Sequence, residues 1–401
     1  MLTRTFKAFH YPDFRIMWIG ACTSSIGTWM QQLAQAWLVF QLTGSSFLLG
    51  LDAFLGQIPI LLFSLLGGVA ADRIERRKLL IASQVVQMTC AFTLTLLFAT
   101  HTVKIWHILT LSFVVGTAQS FGGPAYQALI PSLVKQEDLQ NAIALNSIQF
   151  NLARIIGPML GGIALKTLGA AWCFGLNGAS FVAVIISLLV IKTRFQPAKA
   201  TVTMLTSMKE GIAFIRTQSA MTSLIFLAFT MTLLSVPLLV FLPVFAAKVF
   251  HGGSGTFTLL LCFSGAGSVC GALIVASFGH LKRQGSVALG LLVILGALIA
   301  AFSQSPYLPL SCLLIFLCGA ALMGVFAMVS TLVQMIASDH MRGRVMSVYN
   351  VAFRGGMPIG SLLVGIASQR LTAPAVLTAN GVLLALLGFY FIAAHRRIAA
   401  L

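Results

Sequence analysis

Residues 67–78 read GGVAADRIERRK, and they follow a run of more than twenty residues whose only charged member is Asp52. Six charged groups, Asp72, Arg73, Glu75, Arg76, Arg77 and Lys78, crowd into seven positions of a chain that is only 8% charged. Apolar runs flank the stretch on both sides, each long enough for a helix crossing a hydrocarbon core of ~30 Å. The stretch therefore reads as a short charged turn joining two membrane-crossing helices.

The rest of the composition agrees. A soluble globular protein carries about 25% charged residues. Here 58% of 401 residues are hydrophobic and mean hydropathy is +0.98, which predicts one polytopic membrane unit instead of several soluble domains. A net charge of +17 would suit nucleic acid, but the positive residues sit in short gaps between apolar runs. That is a topology pattern, and no nucleic-acid partner is expected. Seven cysteines (22, 90, 173, 262, 270, 312 and 318) lie in apolar runs without a CxxC pair, so neither a disulfide framework nor a metal site is expected. GGSGTFT, from Gly252, lacks the lysine of a nucleotide-binding P-loop, and no cofactor is expected. The opening MLTRTFKAFHYPDFR has no small-residue cleavage site, so the first apolar run reads as a retained helix.

Apolar runs place spans near 14–40, 46–70, 79–100, 106–129, 142–165 and 171–192, then near 219–247, 255–278, 286–303, 308–332, 345–369 and 374–394. The expected fold is thus an all-α polytopic membrane protein of twelve transmembrane helices in two six-helix bundles. Its parts are an N-terminal bundle over 1–192, a cytoplasmic linker over 193–218 and a C-terminal bundle over 219–401. With a cytoplasmic N-terminus, nineteen lysines and arginines fall on the cytoplasmic side and four on the other, with Arg154 and Arg354 inside spans. This bias places both termini in the cytoplasm. In the linker, Met204, Met208, Ile212 and Ile215 recur at helical spacing, which predicts a short helix in the membrane interface. The halves also repeat: ARIIGPMLGG in the fifth span and FRGGMPIGSLL in the eleventh carry Arg154 with Pro158 and Arg354 with Pro358, displaced by 200 residues. Repeated halves around a midplane site are a transporter architecture.

Gly68-x-x-x-Asp72-Arg73-x-x-Arg76-Arg77-Lys78 resembles the signature between the second and third helices of the major facilitator superfamily. Gly157-Pro158-x-x-Gly161-Gly162 resembles the fifth-helix motif of its antiporters. The stretches YPDFRIMWIG, AQAWLVFQLTGSS, FGGPAYQALIPSLV and NAIALNSIQFNLARIIGP resemble the exporter branch that includes the enterobactin exporter and related drug efflux proteins. The resemblance spans the chain and implies the major facilitator fold, a bacterial inner membrane location, and a monomer that is not an enzyme. Two departures stand out: SFGHLKRQG, the second-half counterpart of the charged turn, lacks an Asp-Arg pair, and the fourth span lacks the arginine of the usual proton-antiporter motif. By the resemblance Asp72 would gate access by facing the N-terminal end of the eleventh helix, with Arg342 and Arg344 as ionic partners. The glycines of the fifth-helix motif serve either close packing or exporter function.

Polar groups inside the spans supply the remaining candidates. In the first span Ser24, Thr28, Gln31 and Gln35 share one face, facing either another helix or a substrate cavity. Ser147, Asn151 and Arg154 form a similar stripe in the fifth, and Gln119, Ser120, Tyr126 and Gln127 add polarity in the fourth. Tyr349 and Phe353 share a face beside Arg354. Gln31, Gln35, Tyr126, Asn151, Tyr349 and Phe353 are the substrate-cavity candidates. Arg154 and Arg354 stay protonated, so they would bind an anion, bias a carboxylate or anchor structure. Asp52 is the one evident intramembrane carboxylate among eight acidic residues, and serves as either a proton carrier or an outer-cavity polar group. Asp52, Arg154 and Arg354 are the coupling candidates.

These features predict a secondary active exporter of a small amphipathic organic compound, of drug or siderophore class, driven by proton antiport and alternating access. Lysophospholipid or metal-ion transport is the alternative within transport. A non-transporting membrane receptor or scaffold is the alternative of another class.

Overall fold

The computed structural model describes residues 6–191, 204–277 and 283–394, with the side chains of residues 72, 204–207 and 394 outside that set. Its described residues form helices joined by short turns, with no strand. The long elements are α1 Pro12–Thr43, α2 Ser46–Arg73, α3 Arg76–Ala99, α4 Ile105–Leu129, α5 Leu139–Thr167 and α6 Ala170–Val190. After α7 Met204–Thr217 come α8 Ser219–Val249, α9 Ser254–Ser277, α10 Gln284–Gln304, α11 Leu308–Ile336, α12 Arg342–Ala367 and α13 Ala373–Ala394. Helix is the only local structure that satisfies every backbone group within one apolar segment, which is why runs of this composition adopt it.

Nine of the described helices are long and apolar enough to cross a membrane. The three other expected spans, α1, α4 and α12, are present as helices of 25 to 32 residues that fall short of that apolarity. Gln31, Gln32, Gln35 and Gln41 dilute α1, and Arg342, Arg344, Asn350 and Arg354 dilute α12. The seventh expected span is interrupted. Within α8 the helix breaks around Pro237 and Pro243 and closes with a π-turn over Phe245–Val249, as expected where proline withholds a backbone donor. Between α1 and α2 the chain turns at Gly44, whose φ of +62° lies in the left-handed region that glycine tolerates.

Contacts divide the chain into two compact units. The first holds Met1–Leu42 and Leu55–Thr203, the second Thr43–Phe54 and Met204–Leu401. In the first unit α3 packs on α4 and α6. A core of Phe14, Met17, Leu80, Leu129, Leu145 and Leu188 fills its end nearest the N-terminus. The 3₁₀ turn Lys7–His10 is fastened there: Lys7 Nζ lies 2.8 Å from Asp138 Oδ1, Tyr11 donates to Asp138 Oδ2 at 2.8 Å, and the Ala8 amide donates to Asn141 Oδ1. The bond to Asp138 raises the pKa of both Lys7 and Tyr11 above their ordinary values. In the second unit α9 packs on α11, α10 on α11 and α13, and α12 on α8 and α7. Small residues permit these approaches: Gly271 lies against Ala320 and Gly381 against Ala300, where any side chain would meet backbone. Association of apolar helices in lipid depends on such close packing, because lipid tails are as apolar as the helices themselves.

Candidate transport site

Within the first unit, the polar groups of α1, α4, α5 and α6 find one another. Gln31 of α1 accepts a hydrogen bond from Asn177 Nδ2 of α6 at 2.7 Å, and Gln35 donates to Ser112 of α4 at 2.8 Å. Thr28 instead donates to the Ser24 carbonyl within its own helix. Two of the four residues in the α1 stripe thus make helix–helix bonds, one of the two roles their spacing allowed. A second network joins three helices. Tyr126 of α4 donates to Asn146 Oδ1 at 2.6 Å, with Gln149 Oε1 at 3.2 Å, while Gln149 Nε2 donates to the Ala21 carbonyl and to Ser25 Oγ at 3.1 and 2.7 Å. Each group is uncharged and pairs a donor with an acceptor, which is what makes such burial tolerable in a medium without water.

Along α5, the stripe of Ser147, Asn151 and Arg154 does not carry this network. Ser147 is exposed and donates to the Ile143 carbonyl, and Asn151 donates to the Ser147 carbonyl at 2.9 Å. The network uses Asn146 and Gln149 on a neighbouring face, and Gln149 is only 3% exposed. Arg154 lies with its guanidinium carbon 5.9 Å from the centre of the Trp29 ring, and Phe150 meets Trp29 edge-on at 6.0 Å. One turn further on, the glycines of Gly157-Pro158-x-x-Gly161-Gly162 press α5 onto α1. A Cβ on Gly157 would lie 2.8 Å from the Ile26 carbonyl oxygen and closer still to Trp29, and one on Gly161 would meet Met30. Pro158 and Gly162 are buried beside them.

At the charged turn, two arginines close helix ends. Arg77 donates to the Ile191 carbonyl at 2.9 Å and the Leu189 carbonyl at 2.7 Å, at the C-terminal end of α6. Arg76 donates to the Ala128 carbonyl at 3.0 Å, at the end of α4. A guanidinium there meets carbonyls that lack partners inside the helix and the negative end of its dipole. Arg73 is exposed, and Gly68 half-buried. The close helix approach seen beside this turn falls at Gly67, which lies against Ser120 and Phe121 of α4. The side chain of Asp72 lies outside the described residues.

In the second unit, Arg342 pairs with Asp339 and Arg344 with Glu210 of α7, each at 2.8 Å. Gly211 sits against the Arg344 backbone, so α7 is tied to the start of α12. Ile215 of α7 is buried and Ile212 is exposed, while the side chain of Met204 lies outside the described residues. Tyr349 is 1% exposed and stacks on Phe353, which in turn meets Phe326 at 4.6 Å. Tyr349 therefore packs in the interior of this unit, and Arg354 is exposed. Asp52, in the segment Thr43–Phe54 that clusters with this unit, is buried at 8% exposure. Two residues before it, Gly50 lies against the Ser361 carbonyl of α12.

A family model described as transmembrane secretion effector matches residues 3–399. The chain belongs to that family, within the major facilitator superfamily. Macrolide efflux protein A of Streptococcus pyogenes is 22% identical over 366 residues, covering 89% of this chain and 90% of that protein. The enterobactin exporter EntS of Citrobacter koseri is 26% identical over 386 residues, covering 94% of this chain and 90% of that one. The crystal structure of a mutant of the nucleoside transporter NupG superposes with a TM-score of 0.75 at 14% identity, over 96% of this chain and 99% of that one, which shows a shared fold. This secretion effector is therefore a multi-pass membrane transporter of the efflux kind, and not an enzyme.

Sequence reasoning passed over Asn146, Gln149, Asn177 and Trp29. The first two had a usable signal, since polar residues three apart lie on one helix face. Asn177 has Ser180 three positions on, which donates to its Oδ1 at 3.1 Å, whereas Trp29, beside Thr28 and Gln31, is marked only by its contacts with Phe150 and Arg154.

Proposed function

We propose that this secretion effector is a secondary active exporter of amphipathic organic compounds, of drug or siderophore class, driven by proton antiport through alternating access. The observation that carries the reading is the uncharged network of Ser25, Gln149, Tyr126 and Asn146 in the unit that also holds the Trp29 and Phe150 rings. Amides and hydroxyls orient a ligand while aromatic faces accept varied apolar bodies. Relatives named for exporting a macrolide and enterobactin support the same class of cargo. Gln31, Gln35 and Asn151 complete the proposed contacts of this unit, and Phe353, beside the buried Tyr349, is the proposed contact of the second.

In this reading the chain works as a monomer in a bacterial inner membrane with both termini cytoplasmic, as its positive residues favour. Residues 1–192 and 219–401 form its moving halves, joined by 193–218. Asp52 carries the proton, because a coupling group must change protonation between access states and arginines such as Arg154 and Arg354 do not. Asp72, supported by Gly68, Arg73, Arg76, Arg77, Arg342 and Arg344, governs gating.

Reconstitution into liposomes with an imposed proton gradient tests the proposal. The wild-type chain should accumulate a fluorescent amphipathic substrate against its gradient. Asp52→Asn should lose accumulation and keep downhill exchange, and Asp52→Glu should keep part of the coupling. Normal accumulation by Asp52→Asn with unchanged pH dependence would remove Asp52 from coupling.

A further inference from the structure

Arg154 stands fifteen residues into the 29-residue helix α5, about 22 Å from its start at ~1.5 Å per residue. So central a cation is poorly placed to extend its head group past either end of the helix. Among the described residues its guanidinium has no carboxylate within ion-pair distance and no hydrogen-bond acceptor, and it lies over the Trp29 face. Nor does the interior of its own unit hold an anion to offer. Between residues 14 and 203 the acidic residues are Asp52, which clusters with the second unit, and Asp72, Glu75, Glu137 and Asp138, which lie at helix ends and turns. A ring face attracts the cation but satisfies none of its five in-plane N–H donors. An ionised side chain at such depth ordinarily has an anion or carbonyls around it.

We infer that Arg154, Trp29 and Phe150 form a subsite for the acidic group of an amphipathic ligand. A carboxylate, phosphate or ionised phenol occupies the guanidinium fork, and the ring or chain attached to it lies against the Trp29 and Phe150 surfaces. Planar, two-point recognition of such groups is the particular capacity of arginine. The inference rests on the exporter reading only in taking the ligand for cargo, since a phospholipid headgroup offers the same anion.

Isothermal calorimetry on the purified full-length protein in phosphatidylcholine nanodiscs tests this, with 2-naphthoate and 2-naphthamide as probes that share a ring system and differ in charge. Wild-type protein should bind the acid about tenfold or more tighter than the amide, a difference of roughly 1.4 kcal/mol. Arg154→Gln should bring the ratio to about one while retaining amide binding, Arg154→Lys should retain part of it, and Trp29→Leu should weaken both ligands. Replacing half of the lipid with phosphatidylglycerol separates the sources of the anion. A fall in naphthoate affinity confined to chains with Arg154 identifies a headgroup, and no change identifies a soluble acid. Equal affinity of the wild type for both probes, or an undiminished ratio in Arg154→Gln, overturns the inference. The measurement involves no gradient and no flux. A missing acid preference would leave the exporter proposal standing, and failed transport would leave this subsite standing.

Discussion

Tyr126 illustrates what a single hydroxyl holds in an apolar medium. It serves the acceptors of both Asn146 and Gln149, and Gln149 in turn reaches Ser25 and the Ala21 carbonyl on α1. Tyr126→Phe should leave those acceptors unserved and cost about 1–2 kcal/mol, read as a lower midpoint of thermal unfolding in detergent. If Tyr126 also meets cargo, affinity should change more than expression does. An unchanged midpoint would show that the network contributes nothing to stability. Arg77 offers a parallel case. Arg77→Ala removes two charge-assisted bonds to the last carbonyls around α6 and should cost about 1–2 kcal/mol, with faster hydrogen exchange over residues 186–191. Exchange at the wild-type rate would contradict the capping role.

At the scale of elements, contact between α5 and α1 depends on the absence of side chains. Gly157 faces Ile26 and Trp29, and Gly161 faces Met30. Gly157→Val inserts atoms where backbone already stands, so the helices must separate. Overpacking of this kind costs about 1–3 kcal/mol, and the same change should disturb the seating of Trp29 beside Arg154. Thermal unfolding and Trp29-dependent fluorescence would report it; a variant with wild-type stability would show that α5 can move away freely. The motif thus has a packing role visible in the fold, whatever part it plays in export. The charged turn is similar, since Arg76 and Arg77 both finish helices other than their own.

For the whole molecule, transport requires two access states of comparable free energy, biased by a few contacts. Asp72 is proposed as one such contact. Asp72→Asn should preserve folding while shifting the population toward inward-facing forms and slowing flux. Spin-label pairs with one label in each unit, measured with and without substrate, would show altered distance distributions. Unchanged distributions together with unchanged flux would take Asp72 out of the mechanism. The pairing of Arg344 with Glu210 bears on this picture, because a cation named as a partner for Asp72 is engaged by α7 in the structure described here.

What the sequence determined by itself is local in origin. An apolar run of about twenty residues forms a helix because no other backbone conformation satisfies its own hydrogen bonds in lipid. Such runs made the all-helical membrane fold legible, and the charged turn with the Gly-Pro-x-x-Gly-Gly motif made the superfamily legible. Only the tertiary structure decided which polar groups meet. Gln31 and Asn177 are 146 residues apart, and Gln35 and Ser112 are 77 apart. Spacing within α1 could place Gln31 and Gln35 on one face, but not say whether that face met another helix or a cavity. It likewise favoured Ser147 and Asn151 on α5, where the fold uses Asn146 and Gln149. A helix's periodicity is set by its own backbone, whereas the partner of each face is set by how small and large side chains let whole helices approach.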